Sequence, residues 1–236
     1  MIVESGWEQI EAGDKPMGVY VSRPAAPDKA PAVLVLQEIF GVNSYVRRIA
    51  DRVAAAGFLA FAPDLFHRLG DRWEGRYDDF PPALERMQRF DDEVCLRDLD
   101  HLISAVRSRP DVLDGRVGVL GFCLGGRIAY SAACTKDIRA SVAFYGVGIP
   151  GAPLAKTPGL ACPLQLFFAE KDQHAPITDV EKIRAALAEH GKSADITVWP
   201  GVDHGFFNDE REAFDPATAQ RAWPMALAFL DQHLRA

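Results

Sequence analysis

The sequence is poor in cysteine. Four thiols, Cys95, Cys123, Cys134 and Cys162, are spread over 236 residues with no CxxC pair and no Cys/His ligand spacing, which excludes a disulfide-stapled scaffold and a zinc module. No metal and no cofactor is expected, and reduced thiols fit a reducing compartment. There is also no basic excess: 26 Lys plus Arg face 33 Asp plus Glu, a formal net charge of −7. Neither nucleic acid nor an anionic membrane surface is therefore an expected partner. No stretch approaches the roughly 18 uncharged apolar residues of a membrane helix. The acidic opening MIVESGWEQIEAGDKP lacks the basic flank and apolar core of a signal peptide. Fixed-period repeats, low-complexity tracts and a dividing linker are absent. The expectation is a cytoplasmic protein folded as one domain over 1–236, a monomer or a homodimer.

What is present is alternation. Short apolar runs rich in β-branched or aromatic residues recur at 32–38, 58–64, 116–122, 140–146, 163–169 and 195–201. A further run at 18–22 closes an N-terminal hairpin. Between them lie segments of helical period at 44–56, 83–107, 124–133, 179–190 and 216–234. Strand runs apolar on both faces, each followed by a helix, predict an α/β class: a mostly parallel central sheet flanked by helices on both faces. The polar, Gly-punctuated segment from His67 to Pro82 reads as a long loop, either a lid or a solvated connection. Asp64, at the end of the 58–64 run, reads as a structural carboxylate that pairs a basic side chain.

The sharpest local feature is RVGVLGFCLGGRIAYSAA, in which an apolar strand runs into Gly121-Phe122-Cys123-Leu124-Gly125-Gly126 and then a small-residue helix. This is the form of a nucleophile elbow: a reactive residue at a strained turn, with small residues at minus two and plus two so that the chains can approach. Cysteine suits the place, because unpaired N–H groups and the dipole at the start of a helix stabilise a thiolate. The Leu124 N–H is the natural oxyanion donor. A cysteine nucleophile needs a base and an orienting acid, and in this arrangement both follow it in the chain at strand ends. Asp172, after the 163–169 run, and His204, after the 195–201 run, fill these places. Asp203 and Glu170 are rival acids and His174 is the rival base. The first central strand ends in Gln37-Glu38-Ile39-Phe40-Gly41, where a second oxyanion N–H is supplied, and Ile39 is the candidate. A carboxylate at Glu38 would oppose developing negative charge unless protonated or turned away. It either bonds the resting thiol and moves when substrate enters, or is a plain structural acid.

In order and spacing, QEIFG, APDLF, GFCLGG, Phe144-Tyr145-Gly146-Val147-Gly148, the aspartate loop and DHGF resemble the dienelactone hydrolases of the α/β-hydrolase superfamily. The resemblance covers nearly the whole chain. GFCLGG with QEIFG is its most specific part, since most α/β-hydrolases carry serine in the elbow. It implies a Cys123, Asp172, His204 triad, Leu124 and Ile39 as oxyanion donors, and Glu38 as the partner of the resting thiol. It also exposes a departure. Members acting on the anionic dienelactone clamp its carboxylate with an arginine after the histidine loop and an arginine and tyrosine ahead of the long helix. Asn208, Phe80 and Leu84 stand at those places here, and Arg72, Arg76 and Arg86 are only nearby. The exchange implies a neutral, more hydrophobic ester, its pocket lined by Phe80, Leu84, Tyr145, Phe206 and Phe207, with Trp73 a further candidate; core or surface packing is the equal alternative for each aromatic. A thiolate nucleophile favours an activated aryl or enol leaving group. The alternatives are a true dienelactone hydrolase of aromatic degradation and a non-catalytic binding module on the same fold.

Overall fold

A computed structural model describes residues 2–25 and 29–236. The chain packs as two compact units, 1–118 and 119–236. The first holds the hairpin β1 (Val3–Ala12) and β2 (Lys15–Pro24), then β3 (Ala30–Leu36), α1 (Ser44–Ala55), β4 (Leu59–Pro63), α2 (Pro81–Arg89) and α3 (Asp92–Arg107). Strand β5 (Val112–Phe122) begins in the first unit and ends in the second. There follow α4 (Leu124–Thr135), β6 (Ala140–Phe144), β7 (Leu164–Ala169), α5 (Ile177–Glu189), β8 (Asp195–Trp199) and α6 (Pro216–Arg235). The strand order is β1-β2-β4-β3-β5-β6-β7-β8. Strand β1 pairs with β2, and β2 with β4, antiparallel, while β3 with β4, β6 with β7 and β7 with β8 are parallel. Every residue of β3, β4, β6 and β7 is buried, which is why these runs show no polar alternation.

Two expectations are revised. The helical period over 83–107 is broken: Phe90 turns extended with ψ 129°, and Asp91 starts a new helix by accepting from the amides of Glu93 (2.9 Å) and Val94 (3.0 Å). An acidic cap followed by Asp92 and Glu93 in the first turn is a start signal strong enough to divide a continuous pattern. Among the described residues Asp64 makes no ion pair with a basic side chain. Fully buried, it accepts the amides of Phe66 (2.9 Å) and Arg72 (2.7 Å), and burial pushes its carboxyl up to about 6 against those amides. The stretch between β6 and β7 contains a 3-10 turn over Ala152–Gly159.

Candidate active site

In the second unit, β5 delivers Cys123 to the residue before α4 with φ +54° and ψ −111°. A non-glycine residue held there carries backbone strain, and the surrounding contacts enforce it. The Cys123 amide donates to the Phe144 carbonyl (3.0 Å), and its carbonyl accepts from Arg127 (3.1 Å) and Val147 (3.3 Å). The chains meet so closely that a Cβ on Gly121 would lie 2.0 Å from the Gly125 carbonyl oxygen, and one on Gly126 2.8 Å from that of Phe144. These are the close approaches for which the elbow needs glycine. Leu124 opens α4 and is buried.

Asp172 and His204 sit in the loops after β7 and β8. One carboxylate oxygen of Asp172 lies 2.8 Å from His204 Nδ1, and the other accepts the amides of His174 (2.7 Å) and Ala175 (2.9 Å). Burial alone would raise the Asp172 carboxyl, but the bond to His204 and the two amides hold it below the ordinary carboxylate range. For His204, burial opposes the charged form, while the Cys123 thiolate and the Asp172 bond outweigh it and raise the imidazolium to about 10. The His204 side chain also hydrogen-bonds Cys123. Cys123, His204 and Asp172 are 7, 5 and 1% exposed, so the chain of contacts is nearly dry. The rival acids are committed to backbone: Glu170 accepts from the Gly201 amide (2.7 Å) and Asp203 from that of His204 (2.6 Å). His174, the rival base, is exposed and presents its ring edge-on to that of His204, centroids 5.1 Å apart.

The apolar residues expected around the substrate separate into two groups. Tyr145, Phe206 and Phe207 are 0, 0 and 2% exposed, so they offer a substrate little surface in this conformation. Tyr145 packs edge-on to His204 (4.9 Å) and Phe206 (5.4 Å), and Phe207 packs against Phe122, Phe144 and Trp223. In the first unit Phe80 and Leu84 are open, 38 and 45% exposed, with Phe80 resting edge-on against Phe40. The arginines near them are engaged: Arg72 over Trp7 (5.3 Å), Arg76 with Asp78 (2.6 Å), and Arg86 over Trp73 (3.8 Å). Glu38 and Ile39, 1 and 6% exposed, follow β3.

Two residues escaped the sequence reading. Tyr77 donates its hydroxyl to Glu38 Oε2 (3.2 Å). Nothing in the polar run around it distinguishes this tyrosine from a surface one. The Arg211 guanidinium packs on Gly205, so closely that a Cβ there would meet it at 2.6 Å. Gly205, at φ +84°, follows His204 directly, whereas the family resemblance had pointed to position 208, where Asn208 stands.

A strand-elbow-helix with Cys123 at its turn, and a histidine bonded to an acid in the loops after later strands, is the arrangement of an α/β-hydrolase. Residues 17–234 match the dienelactone hydrolase family, and the chain belongs to it. A Synechocystis protein named "Putative carboxymethylenebutenolidase" is 35% identical over 215 residues, covering 86% of this chain and 87% of that one. A Bradyrhizobium protein named "Probable 2-oxo-3-(5-oxofuran-2-ylidene)propanoate lactonase" is 30% identical, covering 97 and 94%. The crystal structure titled a putative dienelactone hydrolase from Klebsiella pneumoniae superposes with a TM-score of 0.89 at 33% identity over 98% of this chain and 100% of that one. The chain is accordingly a hydrolase of ester or lactone bonds. No helix among the described residues is long and apolar enough to cross a membrane.

Proposed function

We propose that residues 1–236 act as one cytoplasmic, cysteine-dependent hydrolase domain that cleaves neutral, activated esters through a thioester. The observation that carries this reading is His204, bonded to Asp172 at Nδ1 and hydrogen-bonded to Cys123 as well. The Cys123 thiolate attacks the acyl carbon, and the Leu124 and Ile39 amides receive the oxyanion. The C–O bond then breaks, and the leaving oxygen takes the proton held by His204. His204 next removes a proton from water as its oxygen attacks the thioester, releasing the acid and restoring the thiolate. A thiolate leaves more readily than a simple alkoxide, so acyl transfer favours aryl and enol leaving groups. The open apolar pair Phe80 and Leu84 supports a hydrophobic substrate.

A second reading, an anionic lactone, draws on Arg211 beside Gly205 and on the Bradyrhizobium relative's name. Turnover of a 4-nitrophenyl ester against cis-dienelactone separates the two. A higher kcat/KM for the neutral ester supports the first reading, and the reverse order, abolished in Arg211→Gln, establishes the second. Cys123→Ala is expected to abolish both activities. Brief iodoacetamide treatment is expected to label Cys123 ahead of Cys134 and Cys162, whose thiols burial pushes up to about 12 and about 11. Labelling of all three at one slow rate would mark an idle binding module.

A further inference from the structure

The long segment from His67 to Pro82 is strapped to the first unit rather than poised above it. The Gly75 amide donates to the Phe40 carbonyl (2.9 Å), Glu74 pairs with Arg47 (2.6 Å), and the Trp73 carbonyl oxygen presses on Gly41 where a Cβ would meet it at 2.0 Å. The innermost tie is Tyr77. Its ring lies 4.5 Å from that of Phe40, and its hydroxyl donates to Glu38 Oε2 (3.2 Å) while accepting from Asn43 Nδ2 (3.0 Å). Asn43 is itself fixed, since its Oδ1 caps α1 through the Val46 amide (3.2 Å). A helix start therefore orients an amide, the amide orients a phenol, and the phenol holds one oxygen of a carboxylate that is 1% exposed.

We propose that Tyr77 is a positioning residue for catalysis that acts through Glu38, fixing the orientation of this carboxylate through the hydrogen bond to its Oε2. The proposal rests on the reading of Glu38 as the carboxylate that regulates Cys123. A buried carboxylate is held by the donors that bond it, and Tyr77 supplies a donor in a geometry set by Asn43. Ring packing on Phe40 keeps the segment in place without the hydroxyl, so Tyr77→Phe removes the donor and leaves the strap.

The experiment is a double-mutant cycle of Tyr77→Phe and Glu38→Gln on aryl-ester turnover, with Cys123 alkylation and thermal unfolding measured on each protein. Tyr77→Phe is expected to lower kcat about tenfold, the scale of a lost bond to a charged group, with KM unchanged. In the Glu38→Gln background the same substitution is expected to cost less than threefold, because no charge remains to restrain. Equal losses in both backgrounds, or a loss that tracks the melting temperature, would overturn the role of Tyr77. If Glu38→Gln alone leaves both turnover and Cys123 alkylation at the wild-type level, the reading of Glu38 falls, and the Tyr77 proposal with it. A change in Glu38→Gln together with an unaffected Tyr77→Phe removes the tyrosine proposal alone.

Discussion

Replacing Asp172 with Asn tests the triad with almost no change of shape. One Asp172 oxygen faces His204 Nδ1 at 2.8 Å, and the other accepts two backbone amides at 2.7 and 2.9 Å. An asparagine has one oxygen and one NH2 for these places. Turning the NH2 toward the loop would set a donor against two donors, so the oxygen takes the amides and the NH2 faces the imidazole. Nδ1 must then accept, the ring proton moves to the other ring nitrogen, and the base is in the wrong tautomer to remove the proton of the attacking water. The charge partner that helps raise His204 to about 10 is lost as well. Tautomer inversion in such a triad lowers kcat by about 10⁴, equivalent to about 5.4 kcal/mol of barrier. The lost charge-assisted bond should lower stability by only about 1.5–3 kcal/mol. The assay is phenolate release from a 4-nitrophenyl ester, with urea unfolding alongside. A kcat within tenfold of wild type would refute the reasoning, leaving Asp172 as a loop brace and reopening Asp203 and Glu170 as the acid.

Two other outcomes follow from single contacts. Gly121→Ala places a methyl 2.0 Å from the backbone oxygen of Gly125, which cannot yield, and should lower stability by about 3 kcal/mol or more in urea unfolding. Gly6→Ala, whose added methyl meets nothing within 4 Å, should stay within about 0.5 kcal/mol; similar effects at the two sites would contradict the close approach. For Asp64, the folded-state pKa of about 6 lies above the ordinary 3.8, so between those values the folded chain binds more protons than the unfolded one. Its contribution to stability therefore falls as pH rises through about 4 to 6, by about 3 kcal/mol in all. Asp172 and Asp111, held low, act in the opposite direction, so the quantity to measure is the difference in pH slope between wild type and Asp64→Asn. Parallel slopes would show that Asp64 titrates normally.

The architecture was legible because buried parallel strands leave uniform apolar runs, and because the elbow needs glycine at defined offsets from Cys123. Asp172 and His204 were legible because strand ends fix where a loop residue can point. What escaped depends on contacts across long sequence separations or on competing local signals. Tyr77 reaches Glu38 over 39 residues, and no periodicity specifies that meeting. Arg211 lies beyond the position at which the family resemblance places an arginine, yet folds back onto Gly205 through the turn that its amide makes with the Asn208 carbonyl (3.0 Å). The break at Phe90 was written in Asp91, Asp92 and Glu93, but a continuous apolar stripe outweighed it. Composition could nominate Tyr145, Phe206 and Phe207 as aromatic, but it could not say that the backbone turns all three into the interior.

The approach of Gly121 to Gly125 has a consequence for the choice of nucleophile. The turn that lifts residue 123 is fixed by main chain against main chain, with no demand on the side chain at its apex. A hydroxyl could occupy the same point in space as the sulfur, so the fold does not dictate cysteine. Under the proposed thioester chemistry the element at position 123 is then a purely chemical variable, which would set the leaving groups that can be processed and would expose the enzyme to inactivation by peroxide.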